Sequence, residues 1–144
     1  MFSKSCQYAL QAILYIALHS KNGKPVGLRD IAERQQIPLH FLSKILQTLV
    51  KHKILVSSKG PNGGFSLEKS PGRLKLVEIV RVIDGLDIFD QCGIGLKKCS
   101  DKKPCPVHFE YKVVKDKTRE LLNTKTLKEL CQDIEQGRSF VSYV

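Results

Sequence analysis

The chain has 144 residues, of which 42% are hydrophobic and 26% charged, a composition that indicates a globular protein and excludes an intrinsically disordered one. This length suits one compact domain, or one domain with an appended dimerisation arm. The longest apolar run, Ala9–Leu18, contains Gln11, is too short to cross a bilayer and lacks the flanks of a secretory signal. We therefore expect a cytoplasmic protein.

The formal charge of +10 is unevenly distributed along the chain. Residues 1–75 contain 12 Lys and Arg against 3 Asp and Glu, a net charge of +9, whereas residues 76–144 contain 12 against 11, a net charge of +1. This asymmetry indicates that the first half binds a polyanion, and nucleic acid is the main candidate. A basic protein without such a partner is the alternative that charge alone leaves open.

Three helices are predicted in the first third of the chain. The first spans Ser3 to Ser20 and is apolar around most of its circumference, which is typical of a helix enclosed by a core. The second covers residues 28–35, and the third begins at Pro38, a residue that suits the first position of a helix. The third helix has an apolar stripe formed by Leu39, Leu42, Ile45, Leu46, Leu49 and Val50.

The opposite face of the third helix is polar and basic. It carries His40, Ser43, Lys44, Gln47 and Lys51. Two short helices joined by a tight turn, the second with a polar outer face, predict a helix-turn-helix, and a plain helical hairpin is the alternative. In a helix-turn-helix this face meets DNA: His40, Ser43, Lys44 and Gln47 would face base edges, while Lys51 and the nearby Lys53 would face phosphates.

A β-hairpin is predicted directly after the third helix. Residues 54–58 and 65–68 have strand character, and the turn between them is rich in glycine. A hairpin in this place is the wing of a winged helix, in which Lys59 would contact phosphates and the turn residues Gly60, Asn62, Gly63 and Gly64 would bring the backbone close to DNA. The phosphate-binding loop of an enzyme is a weaker alternative, because such a loop connects a strand to a helix.

The second half of the chain contains a predicted helix from Leu76 to Asp84, an irregular segment over residues 85–106, a long helix and a last short helix near Thr126. On the long helix Val107, Tyr111, Val114, Thr118 and Leu121 recur at intervals of four and three, which is typical of a seam between paired helices. The pattern predicts dimerisation through Val107, Tyr111, Val114 and Leu121, and a plain core helix is the alternative.

These elements predict a mainly α fold with a small β-hairpin wing, in which a winged helix-turn-helix domain carries a long C-terminal dimerisation helix. We expect three segments: a DNA-binding domain over residues 1–84, a cysteine-rich loop over residues 85–106, and a dimerisation helix with a short last helix over residues 107–144.

The cysteine-rich loop is the second candidate site. Five cysteines, an odd number, favour metal binding or redox sensing over disulfides in a reducing compartment. Cys92, Cys99, Cys105 and His108 place three thiols and an imidazole within 17 positions, a ligand set that suits an iron–sulfur cluster, zinc or copper(I). Only the last two have the close spacing of a structural zinc site, so the wide spacing favours a cluster, with zinc as the alternative.

The surroundings of the loop leave several roles open. Lysines at positions 97, 98, 102 and 103 either offset the negative charge of a thiolate-bound cluster or serve solubility. Cys131, on the last helix, is expected to pack in the core. Cys6 either packs in the first helix or approaches the cluster loop of a second subunit.

The sequence resembles the Rrf2 family of bacterial transcription regulators, and especially its iron–sulfur members. The resemblance covers most of the chain and rests on three motifs: Ser5-Cys6-Gln7-Tyr8-Ala9-Leu10 in the first helix, Leu28-x2-Ile31-Ala32-Glu33-Arg34 with Ile37-Pro38 in the helix-turn-helix, and Lys59-Gly60-x2-Gly63-Gly64-Phe65 in the wing. The wing motif followed by three cysteines is the most specific of these. Lysine at position 59 replaces the arginine of many members.

The resemblance implies a homodimer built on a long antiparallel helix pair near residues 106–123. Each subunit would place its second short helix in a major groove and its wing in the adjoining minor groove of a pseudo-palindromic operator in double-stranded DNA. Cys92, Cys99 and Cys105 would bind iron, with His108 as the fourth ligand. In other members the fourth ligand is an acidic residue of the partner's first helix, which corresponds roughly to Gln7, a poor iron ligand; Cys6 is a further candidate.

We therefore predict a transcription regulator whose operator affinity is controlled by an iron–sulfur cluster that senses redox state, nitric oxide or iron–sulfur status. The cluster is expected to be of the 2Fe–2S type in preference to 4Fe–4S and to act through a shift between two conformations. The alternative is a cluster-free regulator of the same fold that uses zinc, free thiols or a partner protein as its signal. An enzyme such as a thiol oxidoreductase is disfavoured, because the chain has no C-x-x-C motif and no acid or second histidine placed to activate a nucleophile.

Overall fold

Six α-helices and one two-stranded antiparallel hairpin make up the fold in the computed structural model, which describes residues 1–141. The helices are α1 (Lys4–His19), α2 (Leu28–Gln35), α3 (Leu39–Lys51), α4 (Leu76–Ile83), α5 (His108–Thr124) and α6 (Leu127–Glu135), and the strands are β1 (Leu55–Ser58) and β2 (Gly64–Leu67). The predicted fold class is confirmed. Within residues 1–141 no helix is both long enough and apolar enough to span a membrane. The end of the predicted segment 107–144, residues 142–144, lies outside the described residues.

Helix α1 is the centre of the main hydrophobic core. Its side chains Ala9, Ala12, Ile13 and Ile16 are completely buried, and the two alanines leave room for neighbouring helices to approach closely. The helix begins where the Ser3 hydroxyl accepts a hydrogen bond of 3.0 Å from the backbone N–H of Cys6. Burial on several sides is what the apolar sequence of this helix predicts.

Helices α2 and α3 form the helix-turn-helix, joined by a turn in which Gln36 adopts the left-handed conformation at φ 54°. Pro38 is the residue before the first turn of α3, not its first residue as predicted. Leu39 also departs from the prediction, because it is 41% exposed whereas the rest of the stripe faces inward. The physical reason is that residues 38–41 are all exposed: the first turn of α3 extends beyond the core. The fully buried members of the stripe are Leu42, Leu46 and Leu49.

The wing is tied to the rest of the domain at its base. Strands β1 and β2 pair antiparallel from Leu55 opposite Leu67 to Ser58 opposite Gly64. Val26, which precedes α2, forms two backbone hydrogen bonds of 2.8 Å with Phe65. Gly64 lies at φ +150°, and a Cβ atom at this position would stand 2.3 Å from the carbonyl oxygen of Val26, so only glycine allows this close approach.

The C-terminal helices have different surroundings. Helix α6 returns to the main core, where Leu127 and Cys131 are buried, and the backbone N–H of Leu127 donates to the carbonyl of Leu74 at 2.8 Å. Helix α5 contacts α4 and the cysteine loop, and its buried residues lie on one face only: His108, Lys115 and Leu122. Most of its surface is therefore open to a partner.

Candidate functional site

The outer face of α3 presents the polar side chains that the sequence pattern indicated. His40, Lys44, Gln47 and Lys51 are exposed, and Ser43 is half-buried beside Gln47, whose Nε2 lies 3.4 Å from the serine Oγ. The buried residues on the opposite side of α3 are Leu42, Ile45, Leu46 and Leu49. Because they are held in the core, they fix the polar face outward. The helix therefore offers donors and acceptors on a rigid support.

Phe41 was missed by the sequence analysis and belongs to the same exposed surface. Its ring is 50% exposed in the first turn of α3 and lies 4.4 Å from the His40 ring, centroid to centroid. Its position next to Leu42 takes it off the apolar stripe, and that spacing is the signal that could have identified it. An exposed aromatic ring within a polar face is a feature of contact surfaces.

The turn at the tip of the wing, residues 59–64, extends this surface. Lys59, Gly60 and Asn62 are exposed, and Gly63 and Gly64 are half-buried. Gly60 lies at φ +102°, while a Cβ atom on Gly63 would come within 2.2 Å of the Ser58 carbonyl oxygen, so the turn is built for a backbone without side chains. Within residues 1–141 no ion pair neutralises the basic side chains of this surface, Lys44, Lys51, Lys53 and Lys59.

Helix α5 has an exposed apolar surface on the side away from the core. Of the predicted dimerisation residues, Val107, Val114 and Leu121 are between 41% and 47% exposed. Tyr111 is half-buried and contacts its own chain, where a Cβ atom on Gly93 would stand 2.6 Å from its ring. Two further side chains, Phe109 at 59% and Val113 at 55%, enlarge the apolar surface beyond the predicted seam.

The cysteine loop holds its four predicted ligands as two pairs. His108, the first residue of α5, is buried, and its Nδ1 lies 3.4 Å from the Cys99 Sγ. Cys92 is buried next to Cys105. The backbone N–H groups of Ile94 and Leu96, followed by Cys105, lower the pKa of the Cys92 thiol below its ordinary value. Within residues 1–141 no three His, Cys, Asp or Glu side chains converge as ligands of a single metal ion.

Two loop contacts were not anticipated from the sequence. The Asp101 carboxylate lies 2.7 Å from His108 Nε2 and 3.3 Å from Lys112 Nζ, and the hydrogen bond with His108, then that with Lys112, lowers the pKa of Asp101. Lys115 is buried on α5 seven residues after His108, which places both on the same helix face. That spacing is the only signal in the sequence that pointed to Lys115.

The remaining cysteines and Gln7 lie apart from these pairs. Cys6 is completely buried among Val77, Val80 and other apolar residues, and burial, reinforced by Asp84, raises its pKa to about 12. Burial also raises the pKa of Cys131. Gln7 is exposed and donates to the Phe2 carbonyl oxygen at 3.2 Å. Cys6 and Cys131 are therefore packed as thiols, in the way that small apolar side chains pack.

Comparison with known proteins is consistent with this architecture. The family Rrf2, described as an iron-dependent transcriptional regulator, matches residues 2–133. The chain belongs to the Rrf2 family. The transcriptional regulator IscR of Pectobacterium carotovorum is 34% identical over 129 residues, which cover 90% of this chain and 77% of that protein. As an Rrf2 member the chain is a DNA-binding transcription regulator, and the family is a non-enzymatic class.

Two solved structures of Rrf2 proteins have the same fold. IscR of T. potens superposes with a TM-score of 0.74 at 26% identity and covers 97% of this chain and 92% of its own. CymR, the global cysteine regulator of B. subtilis, superposes with a TM-score of 0.77 at 20% identity, with coverage of 92% and 96%. The likeness to CymR concerns the fold alone. The resemblance inferred from the sequence motifs is confirmed.

Proposed function

We propose that this Rrf2 regulator binds a pseudo-palindromic operator as a homodimer and that the state of its cysteine loop sets the affinity for DNA. The outer face of α3, which carries His40, Ser43, Lys44 and Gln47, is the observation that supports the DNA-binding part, and we assign these four side chains to base edges. Its N-terminal turn extends beyond the core and is free to enter a major groove. The phosphate contacts are assigned to Lys51, Lys53 and Lys59.

Phe41 adds an apolar contact to this surface. A ring at the N-terminal end of α3 suits the C5-methyl group of thymine, which is the apolar feature of the major groove. We expect Phe41→Ala to weaken binding to an operator selected from a random duplex pool. Replacing thymine by uracil in that operator removes the methyl groups, and it should weaken the wild type but not the variant. Equal weakening of both proteins would contradict the contact.

Dimerisation is assigned to the apolar surface of α5. On the heptad spacing, Val107, Tyr111, Val114 and Leu121 would contribute to the interface, and the exposed Phe109 and Val113 would widen it. Apolar side chains exposed in a row along one helix favour an identical helix as partner, because a twofold axis covers both copies at once. Two subunits would then present two copies of α3 to the two halves of the operator.

The donor set of the loop fits an iron–sulfur cluster. Two pairs, Cys92 with Cys105 and Cys99 with His108, match the four protein ligands that a 2Fe–2S cluster takes, two for each iron. Backbone N–H groups directed at Cys92 are the hydrogen bonds that stabilise cluster-bound sulfur. A bound cluster supplies reversible electron transfer and reactivity toward oxidants. The chain supplies the four ligands and, through α5, the mechanical link from the loop to the dimer surface.

A cluster-free thiol regulator is the second candidate function. The contact between Cys99 and the His108 imidazole is the observation in its favour, because a thiol beside an imidazole is the arrangement of a reactive cysteine. In that case the signal would be oxidation or ligation of Cys99, and the DNA-binding half would work as proposed above.

Anaerobic purification with iron and sulfide assays separates the two candidates. The cluster hypothesis predicts a coloured protein with about two irons and two sulfides per chain, which is the composition of the proposed centre. Cys99→Ala should abolish the colour, whereas Cys131→Ala, outside the loop, should retain it. A colourless wild type with no bound iron, or with stoichiometric zinc, would leave the cluster-free regulator as the function.

A further inference from the structure

Lys115 is a buried lysine of α5 that contacts the cysteine loop. Its side chain extends from α5 beneath the loop, and the residue is 7% exposed. Its Nζ donates to the carbonyl oxygen of Gln91 at 3.0 Å and contacts Cys99 Sγ at 3.7 Å. The same nitrogen lies 5.5 Å from the centroid of the Tyr111 ring. The ammonium group thus touches both ends of the segment 91–99.

This buried ammonium has no carboxylate partner. A cavity of about 290 Å³ beside it is lined by three aspartates, of which Asp101 bonds to His108 and Lys112 and Asp116 bonds to Arg119. Within residues 1–141 no carboxylate, including the third one, Asp90, lies within ion-pair distance of Lys115. A buried charge is costly unless it is paired and hydrogen-bonded, so the groups that Lys115 contacts, the Gln91 carbonyl and the Cys99 sulfur, have to balance it.

We propose that Lys115 is the positioning residue that balances the negative charge of the Cys99 sulfur. This inference rests on the proposed role of the loop, in which Cys99 would be bound to iron as a thiolate. The contact with Gln91 fixes the start of the segment, and the contact with Cys99 fixes its end. A change in charge at this sulfur is therefore transmitted to α5, the helix that carries the proposed dimer surface.

The exposed lysines of the loop are less suited to balance the negative charge of the Cys99 sulfur. The side chains at positions 97, 98, 102 and 103 are all exposed, so water and salt screen their charges. Lys115 acts from a buried position, where the effective dielectric constant is lower and a charge at about 4 Å has several times the effect. The charge compensation that the sequence analysis left open for the exposed lysines is assigned here to Lys115.

The first test uses cluster-free protein, so that its outcome does not depend on iron. Hydrogen–deuterium exchange of the backbone amides of residues 91–99 is followed by mass spectrometry. Lys115→Met and Lys115→Gln remove the group that contacts both ends of this segment, and each should speed its exchange about tenfold. Lys115→Arg retains a buried donor and should keep the exchange rate within about twofold, as should Lys117→Met, the matched control at an exposed lysine of the same helix.

The second test measures the midpoint potential of the protein reconstituted anaerobically with iron and sulfide. Loss of a buried positive charge disfavours the more reduced state, so Lys115→Met should lower the potential, whereas Lys117→Met, at an exposed position of the same helix, should leave it unchanged. Thermal unfolding checks that each variant is folded. Equal exchange rates in wild type, Lys115→Met and Lys115→Gln would overturn the inference. A wild type that takes up no cluster would contradict the cluster part of the proposed function, and the exchange comparison would still decide whether Lys115 positions the segment 91–99.

Discussion

The DNA-binding half and the cysteine loop differ in what holds them in place. In the first, completely buried residues such as Ile13, Leu46 and Leu49 belong to one continuous core around α1. In residues 85–106 only Phe89 and Cys92 are buried, and the loop is attached to α5 through His108 and Lys115. The first region is held by apolar burial over many contacts, whereas the second depends on a few polar side chains, so a local chemical event can change the second without unfolding the first.

The largest effect should follow from removing apolar volume in the DNA-binding half. Leu46→Ala deletes a completely buried side chain of α3 and should lower the free energy of unfolding by about 2 to 5 kcal/mol. Leu96→Ala, in the loop, removes a side chain that is 54% exposed and should change it by less than about 0.5 kcal/mol. Urea unfolding measures both. Similar losses for the two variants would contradict the difference between the regions.

A smaller loss is expected at the base of the wing. Gly64→Ala forces a side chain into the positive-φ conformation and against the Val26 carbonyl oxygen, and the strained backbone alone should cost about 1 to 3 kcal/mol. Gly60→Ala introduces the same kind of backbone strain at φ +102° but meets no atom within 4 Å, so it should cost less. Thermal unfolding of the two variants compares them. A Gly64→Ala variant that is more stable than Gly60→Ala would contradict the close approach of the wing to Val26.

The wing lysine should affect binding and leave stability unchanged. Lys59→Ala should weaken binding to all duplex sequences and reduce the slope of log K against log salt by about 1 for each subunit. Lys97→Ala removes an equally exposed charge in the loop and serves as the control. Fluorescence anisotropy at several salt concentrations gives both slopes. An unchanged slope for Lys59→Ala, or an equal change for Lys97→Ala, would contradict a contact between the wing and the DNA phosphates.

The smallest effect is expected at the N-terminus of α6. The backbone N–H of Thr126, then its hydroxyl, donates to the Glu129 carboxylate and lowers its pKa below the ordinary value of 4.5. A lowered folded pKa stabilises the protein above the ordinary value, and this contribution is lost as the pH falls through the folded pKa. Glu129→Gln should therefore lower Tm slightly at pH 7, and the difference from wild type should shrink as the pH falls below the ordinary pKa of 4.5. A constant difference across this range would contradict the assignment.

The elements of the DNA-binding half could be predicted because each has a local pattern. Residues 28–35 have the bounds expected from the sequence, and the hairpin follows α3 as expected from its glycine-rich turn. The exposure of Leu39 could not be predicted, because it depends on where α3 leaves the core. Periodicity places a residue on a face of a helix, but which neighbour covers that face is decided by the tertiary fold.

The cysteine loop was predicted by residue type and not by geometry. Cys92, Cys99 and Cys105 were identified because thiols and an imidazole in one irregular segment have few other uses. The pairing of Cys99 with His108, and the burial of Lys115, depend on how residues 91–99 fold back onto α5. No local pattern encodes such a contact. Tyr111 illustrates the same limit, since its heptad position gave no indication that its ring also packs against Gly93.

The affinity of the dimer for its selected operator, measured before and after anaerobic reconstitution with iron and sulfide, tests the central claim most directly. If the cysteine loop controls DNA binding, the dissociation constant should change at least about tenfold in the wild type, which corresponds to a coupling free energy of about 1.4 kcal/mol. It should remain constant in Cys99→Ala, which retains the complete DNA-binding surface. An affinity that is the same in both states of the wild type, in a protein shown to take up iron, would contradict the account.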